Sequence, residues 1–264
     1  MIINVHAGHS LKCRGASGLL DEVNEDRKVK NRVIELLRAN GHTVYDCTDD
    51  SGKDQNSNLK AIVNKCNDHK VDLDVSIHLN AGGGTGTEVY VYSDNSKAKD
   101  EAERIVKNIS NTLGIRNRGV KTSTKLYVLR KTNSPALLVE CCFVDNAIDK
   151  VKWNADKCAK AIVEGILNKS VNEHVETPTP KPQSNASSTL GIYMITASDL
   201  SVRTGPGANC RRKTYEELTK NAKAHDYDKD GCLNYGTRVT VSRFDGDWAK
   251  IPSGWVAKRY LKKV

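Results

Sequence analysis

The stretch VDLDVSIHLNA, residues 71–81, reads as a β-strand that leaves an apolar interior and ends beside a histidine, His78. Two similar stretches flank it in the chain. MIINVHA at the start reads as a strand running toward His9, and PALLVECCFV reads as a strand carrying Glu140. GTEVYVYS and the short TVYDC add further strand signals. Between them lie helical stripes. NEDRKVKNRVIELLRANGH places Val29, Val33, Leu36 and Leu37 on one face and stops at Gly41. NLKAIVNKCNDHK, SKAKDEAERIVKNISNTLG and residues 147–167 read as three more helices. Alternation of this kind predicts an α/β domain with a twisted, mostly parallel sheet flanked by helices. In such sheets, sites gather at the carboxyl ends of strands.

Residues 168–191, NKSVNEHVETPTPKPQSNASSTLG, change the texture. Three prolines alternate with Thr and Lys, then Ser, Asn and Thr follow, with nothing large and apolar for a core. That composition predicts an extended linker, with domains at 1–168 and 191–264 and the linker at 169–190. Beyond it, GIYMITASDLSVRTGPG, GTRVTVSRFDGDWAKI and GWVAKRYLKKV give short strands between Gly, Pro and Asp turns, the pattern of a small all-β barrel.

The 264 residues are long enough for two cores. A net charge of +9 suits a polyanionic partner. No stretch interleaves aromatics with Lys and Arg, so an anionic cell wall fits as well as a nucleic acid. No apolar run reaches the roughly 20 residues that span a bilayer. The first residues lack a basic segment followed by an apolar one, which predicts cytoplasmic accumulation until release. The eight cysteines include no C-x-x-C pattern and read as reduced core fillers. Cys141 and Cys142, adjacent on a strand, are expected on opposite faces.

His9, His78 and Glu140 each follow an apolar run at a strand end, and a further acid, Glu22 or Glu25, precedes the first helix. Two imidazoles and one carboxylate around an open position make a hydrolytic zinc site, with a second carboxylate as proton shuttle. AGHS, VNE, SIHLNA, NRGVKT and PALLVECCFVDN occur in that order across residues 1–168. In this respect the domain resembles the zinc-dependent N-acetylmuramoyl-L-alanine amidases of phage endolysins and bacterial autolysins.

The resemblance implies hydrolysis of the amide between N-acetylmuramic acid and the L-alanine of the peptidoglycan stem peptide. It implies zinc ligands at His9, Glu25 and His78, and Glu140 as the catalytic acid/base. Arg118 and Lys121 would stabilise an oxyanion or hold a stem-peptide carboxylate. Where many members carry Asp-Pro-Gly-His, this chain has His6-Ala7-Gly8-His9, so His6 is either a group behind a ligand or a tolerated polar residue. Rival readings are a zinc endopeptidase acting on stem peptides and a wall-binding protein without activity.

Residues 191–264 resemble bacterial SH3-like wall-binding modules through DLSVRTGPG, YGTRVTV and DWAKI with GWVAKRYL. Trp248, Trp255 and Tyr260 are the wall-contact candidates, with at least one tryptophan expected in the core. With 14 Lys and Arg against 8 Asp and Glu, this half favours an anionic surface. DYDKDGCLNYGT, from Asp226, mimics a calcium loop but has Thr237 where the bidentate acid belongs, and so reads as a turn.

Overall fold

In the computed structural model, the described residues are 1–171 and 190–264, apart from 198, 208, 227, 228, 230 and 235. The chain divides into two units between Pro178 and Thr179. Most of the predicted linker and part of the calcium-like loop, including Asp228 and Asp230, lie outside the described residues.

The first unit is built on six strands: β1 (Ile2–Ala7), β2 (Thr43–Asp46), β3 (Leu73–Asn80), β4 (Thr87–Val91), β5 (Asn117–Thr122) and β6 (Ala136–Phe143). Their order is β2-β1-β3-β6-β4-β5. The first four in that order run parallel, β4 is antiparallel to β6, and β5 is parallel to β4. Residues 117–122 were expected only as a motif; they form an edge strand. Alternation within β3 explains its placement. Val75, Ile77 and Leu79 enter the main core, while Ser76 and His78 face the other way.

Helices α1 (Glu22–Ala39), α3 (Lys99–Leu113) and α6 (Ala155–Leu167) cover the main-core face. Helices α2 (Gln55–Asn67) and α4 (Tyr127–Lys131) cover the opposite face around Leu138 and Tyr90. The row one step further toward the carboxyl ends of β3 and β6 holds His78 and Glu140, outside that smaller cluster. No helix among the described residues is long and apolar enough to cross a membrane.

Three local expectations are corrected. Residues 147–167 are two helices, α5 (Ala147–Lys152) and α6, because the Asn154 side chain accepts from the Lys157 N–H and caps a fresh start. Cys141 and Cys142 both enter the main core. β6 takes three steps, from 140 to 143, against two of β3, from 78 to 80, and this bulge turns the second cysteine inward. Helix α1 begins at Glu22 rather than at Asn24, since Asp21 is its N-cap and accepts from the Asn24 N–H at 3.0 Å. All eight cysteines are free thiols.

A buried polar pair on β1 and β3 has a measurable consequence. The Asn4 amide donates to Asp74 Oδ1 at 2.6 Å, while Asp74 Oδ2 and Asn4 Oδ1 have no partner. Burial pushes the Asp74 carboxyl up to about 6, against the hydrogen bonds from Asn4 and Cys66. A buried carboxylate oxygen without a donor favours the neutral acid at this site. The folded pKa lies above the ordinary value of about 3.9, so the folded chain binds more protons between pH 4 and 6. Stability from this group therefore falls as pH rises through that window and stays reduced above it. Asp74→Asn should stabilise the protein at pH 7–8 by about 2 kcal/mol and give little at pH 4. Chemical unfolding of both proteins at several pH values checks this, and a pH-independent difference would refute it.

The second unit holds eight strands among its described residues: β7 (Gly191–Ile195), β8 (Asp199–Ser201), β9 (Cys232–Asn234), β10 (Arg238–Val241), β11 (Arg243–Asp245), β12 (Trp248–Ile251), β13 (Gly254–Ala257) and β14 (Leu261–Lys263). Every pairing between them is antiparallel. Ile195, Val202, Leu233, Val241, Ala249, Ile251 and Val256 form their core. A short helix, α7 (Lys220–Lys223), interrupts the all-β pattern.

Candidate metal centre

His9, Glu22 and His78 converge, each offering one ligand atom within 4.8 Å of the others. The loop after β1 carries His9 at φ 53°, in the left-handed region, which costs a non-glycine residue on the order of 1–3 kcal/mol. Its Nε2 stands 3.3 Å from Glu22 Oε2. On β3, His78 donates from Nδ1 to Glu22 Oε1 at 3.0 Å. Glu22, on the first turn of α1, is aimed by two backbone donors, Ala16 N–H at 2.7 Å and Leu79 N–H at 3.2 Å.

Glycines make room for this cluster. A Cβ at Gly8 would lie 2.0 Å from the His78 ring, and one at Gly15 would lie 2.1 Å from Glu22 Oε2. Burial alone would raise the Glu22 carboxyl, but hydrogen bonds and charge from His78 and His9 hold it well below the usual carboxylate range. Burial opposes charge on His78 too, yet the hydrogen bond and charge of Glu22, with Glu140 and Asp26 beyond, push it up to about 9. Two imidazole nitrogens and a preoriented carboxylate oxygen are the donor set of a catalytic zinc site. The residues fit such an ion.

Glu140 pairs directly with His78 across β3 and β6, and with Glu88 across β6 and β4. Its Oε2 is buried without a hydrogen-bond partner. Burial pushes its carboxyl up to about 7, helped by the charges of Glu22 and Glu88 and opposed by His78 and Lys121. A carboxyl near neutrality beside a potential metal is equipped to carry a proton.

Arg118 and Lys121 lie at the same end, and both are held by a residue the sequence reading missed. The Arg118 Nε and Lys121 Nζ each donate to Glu88 Oε2 at 2.5 Å. Asn80 and Tyr90 donate to its other oxygen, both at 2.9 Å. A glutamate at an inward strand position, 2% exposed, was the available signal, since such a group needs partners.

The structure brings Glu22, not Glu25, to the two histidines. Glu25 lies one turn further along α1, where it accepts from the Trp153 indole N–H at 2.7 Å and meets Lys28 at 3.4 Å. His6 stays outside the cluster, buried on β1 with Nδ1 3.5 Å from the Ser76 hydroxyl. Burial and the charge of His78 hold it down at about 3, so it is neutral.

In the second unit, Trp255 is 7% exposed, outside the apolar core, with Arg243 and Lys250 over its ring at 5.7 and 5.2 Å. Trp248 and Tyr260 are half-buried against the core, with Arg203 over one ring at 5.8 Å and Arg259 over the other at 4.8 Å. Asp226 accepts from the Gly231 N–H at 2.8 Å.

Residues 3–169 match the model of the Amidase_3 family, described as N-acetylmuramoyl-L-alanine amidase. An uncharacterised protein of Clostridium perfringens is 40% identical over 185 residues, 67% of this chain and 54% of that protein. The N-acetylmuramoyl-L-alanine amidase LytC of Bacillus subtilis is 34% identical over 179 residues, 63% of this chain and 35% of that protein. The chain thus spans about half or less of the length of these curated relatives. Among solved structures, the catalytic domain of the CD27L endolysin targeting Clostridia difficile superposes with a TM-score of 0.60. It is 32% identical, and the match covers 65% of this chain and 99% of that one.

Proposed function

Since the chain belongs to the Amidase_3 family of N-acetylmuramoyl-L-alanine amidases, we propose that it hydrolyses the amide joining N-acetylmuramic acid to the L-alanine of the peptidoglycan stem peptide. The observation that carries this reading is the His9, Glu22, His78 cluster beside the partnerless carboxyl oxygen of Glu140. His9, Glu22 and His78 would hold zinc. A zinc ion there supplies Lewis-acid polarisation of the scissile carbonyl and of the attacking water.

Glu140 takes the proton of that water on its carboxylate and returns it to the departing amine of L-alanine. Both transfers use one group, so its position facing His78 across the sheet matters more than its strength as a base. Arg118 and Lys121 form a cationic pair of which Glu88 neutralises one charge. The remaining positive charge is available to an oxyanion or a stem-peptide carboxylate.

Residues 1–168 are the catalytic part, 169–190 the linker, and 191–264 an SH3-like module binding the wall. Trp248 and Tyr260 are the better contacts there, because the Trp255 ring is 7% exposed and covered by Arg243 and Lys250. Its excess of Lys and Arg suits an anionic wall. The similarity to an endolysin catalytic domain supports a role in host lysis by a phage.

Digestion of purified muropeptides tests the reaction. Free amino groups should appear on L-alanine with no new reducing sugars, and a chelator should stop their release. New amino termini within the stem peptide would instead identify an endopeptidase. Wall binding without any products would identify a binding protein.

A further inference from the structure

The loop that carries His9 is braced by one arginine whose contacts bracket that residue. Arg27 lies on α1, five residues past Glu22, with its side chain 12% exposed. Its Nη1 donates to the Gly8 carbonyl at 3.2 Å, and its Nη2 donates to the His9 carbonyl at 3.3 Å. These two carbonyls belong to the peptide planes on either side of the His9 α-carbon. Fixing both planes fixes both backbone torsions of His9, which lies in the left-handed region at φ 53°.

The guanidinium is itself held in place. Nη1 also donates to Asp26 Oδ1 at 2.9 Å, and Nε and Nη2 grip Asp50 Oδ1 at 3.1 and 2.5 Å. Asp26 is fully buried, and its second oxygen has no partner, so this ion pair is built into the interior. The loop has other ties, from Gly8 N–H to the Ile77 carbonyl and from the Ser10 hydroxyl to the Gly52 carbonyl. Neither of these constrains both sides of His9.

We propose that Arg27 is a positioning residue for the metal centre: it holds His9 in a backbone conformation that the residue would otherwise leave, and so keeps its imidazole aimed at Glu22 and His78. The inference rests on the metal-binding reading of those three residues. The fork of a guanidinium is required, because three carbonyls, of Gly8, His9 and Val23, and two carboxylates must be met at once. A lysine retains the charge but brings a single donor group to one point.

The test uses the full chain and its zinc dissociation constant, measured by competition with a chromophoric chelator. Arg27→Lys should bind zinc about 10–100-fold more weakly, the loss typical of groups that orient ligands. The melting of chelator-treated protein should change little, and saturating zinc should restore kcat. Asp50→Ala, which removes only the outer anchor of the guanidinium, should weaken zinc binding in the same direction by less. Unchanged zinc affinity in Arg27→Lys would overturn the proposal. If Arg27→Lys fails to fold, unchanged affinity in Asp50→Ala overturns it alone. Should the wild-type chain take up no zinc, it is the metal-centre reading that fails, and the two failures are distinct.

Discussion

Glu22→Gln should yield folded protein that no longer retains zinc and no longer hydrolyses muropeptides, whereas Glu25→Gln should keep both. The two residues are one helical turn apart and differ in what they touch. Glu22 faces two imidazoles at 3.0 and 3.3 Å with its carboxylate oriented by backbone N–H groups. Glu25 faces an indole N–H, and a glutamine oxygen accepts that bond as well. Loss of a group that merely orients a ligand weakens metal binding about 10–100-fold, so loss of one of three ligands should exceed about 100-fold. Zinc content by mass spectrometry after dialysis, read beside turnover, checks both variants. Zinc retained in Glu22→Gln and lost in Glu25→Gln would reverse the assignment.

Glu140→Gln should behave differently, keeping its zinc while losing about 10²–10⁴ in kcat, the usual weight of general acid–base catalysis. Its neighbours explain why zinc should still bind: Glu140 faces His78 across the sheet but belongs to no ligand cluster among the described residues. Burial, with the charges of Glu22 and Glu88, pushes its carboxyl up to about 7. The base form is the deprotonated one, so kcat/KM should rise with pH through the pKa of Glu140 and fall below it. A bound cation draws that pKa downward, which puts the acid limb at or below about pH 7. Activity in Glu140→Gln within tenfold of wild type, at full zinc occupancy, would remove Glu140 from the mechanism.

Much of this was legible in the chain before any coordinates. Strands ending in His78 and Glu140 announce themselves because their buried faces need continuous aliphatic runs, and a polar residue ending such a run has to face a site. The stripe of Val29, Val33, Leu36 and Leu37 defines α1 for the same reason, and all four are buried. The choice between Glu22 and Glu25 was not legible from those stripes. It depends on where the first turn starts, and that is set by Asp21 taking the cap, a signal present in the sequence but only local. The role of Glu88 was hidden because its partners come from Asn80, Tyr90, Arg118 and Lys121, brought together only by the pairing of β4 with β5 and β6. Nor does any sequence period betray the bulge that turns both Cys141 and Cys142 inward.

That bulge sits immediately after Glu140, and its position makes the acid's location a matter of phase along the strand. Before it, β6 keeps strict step with β3, residue against residue from Asp74 and Ala136 up to His78 and Glu140. After it, the count is off by one. A slip of β6 by a single residue would bring Val139 or Cys141 opposite His78, presenting a methyl or a thiol in place of the proposed proton carrier. Such a slipped sheet would retain its secondary structure, and little in a far-ultraviolet spectrum would set it apart from the active form. Refolded preparations can therefore look native by helix and strand content while containing inert molecules, and titration of active sites is the proper measure of recovery.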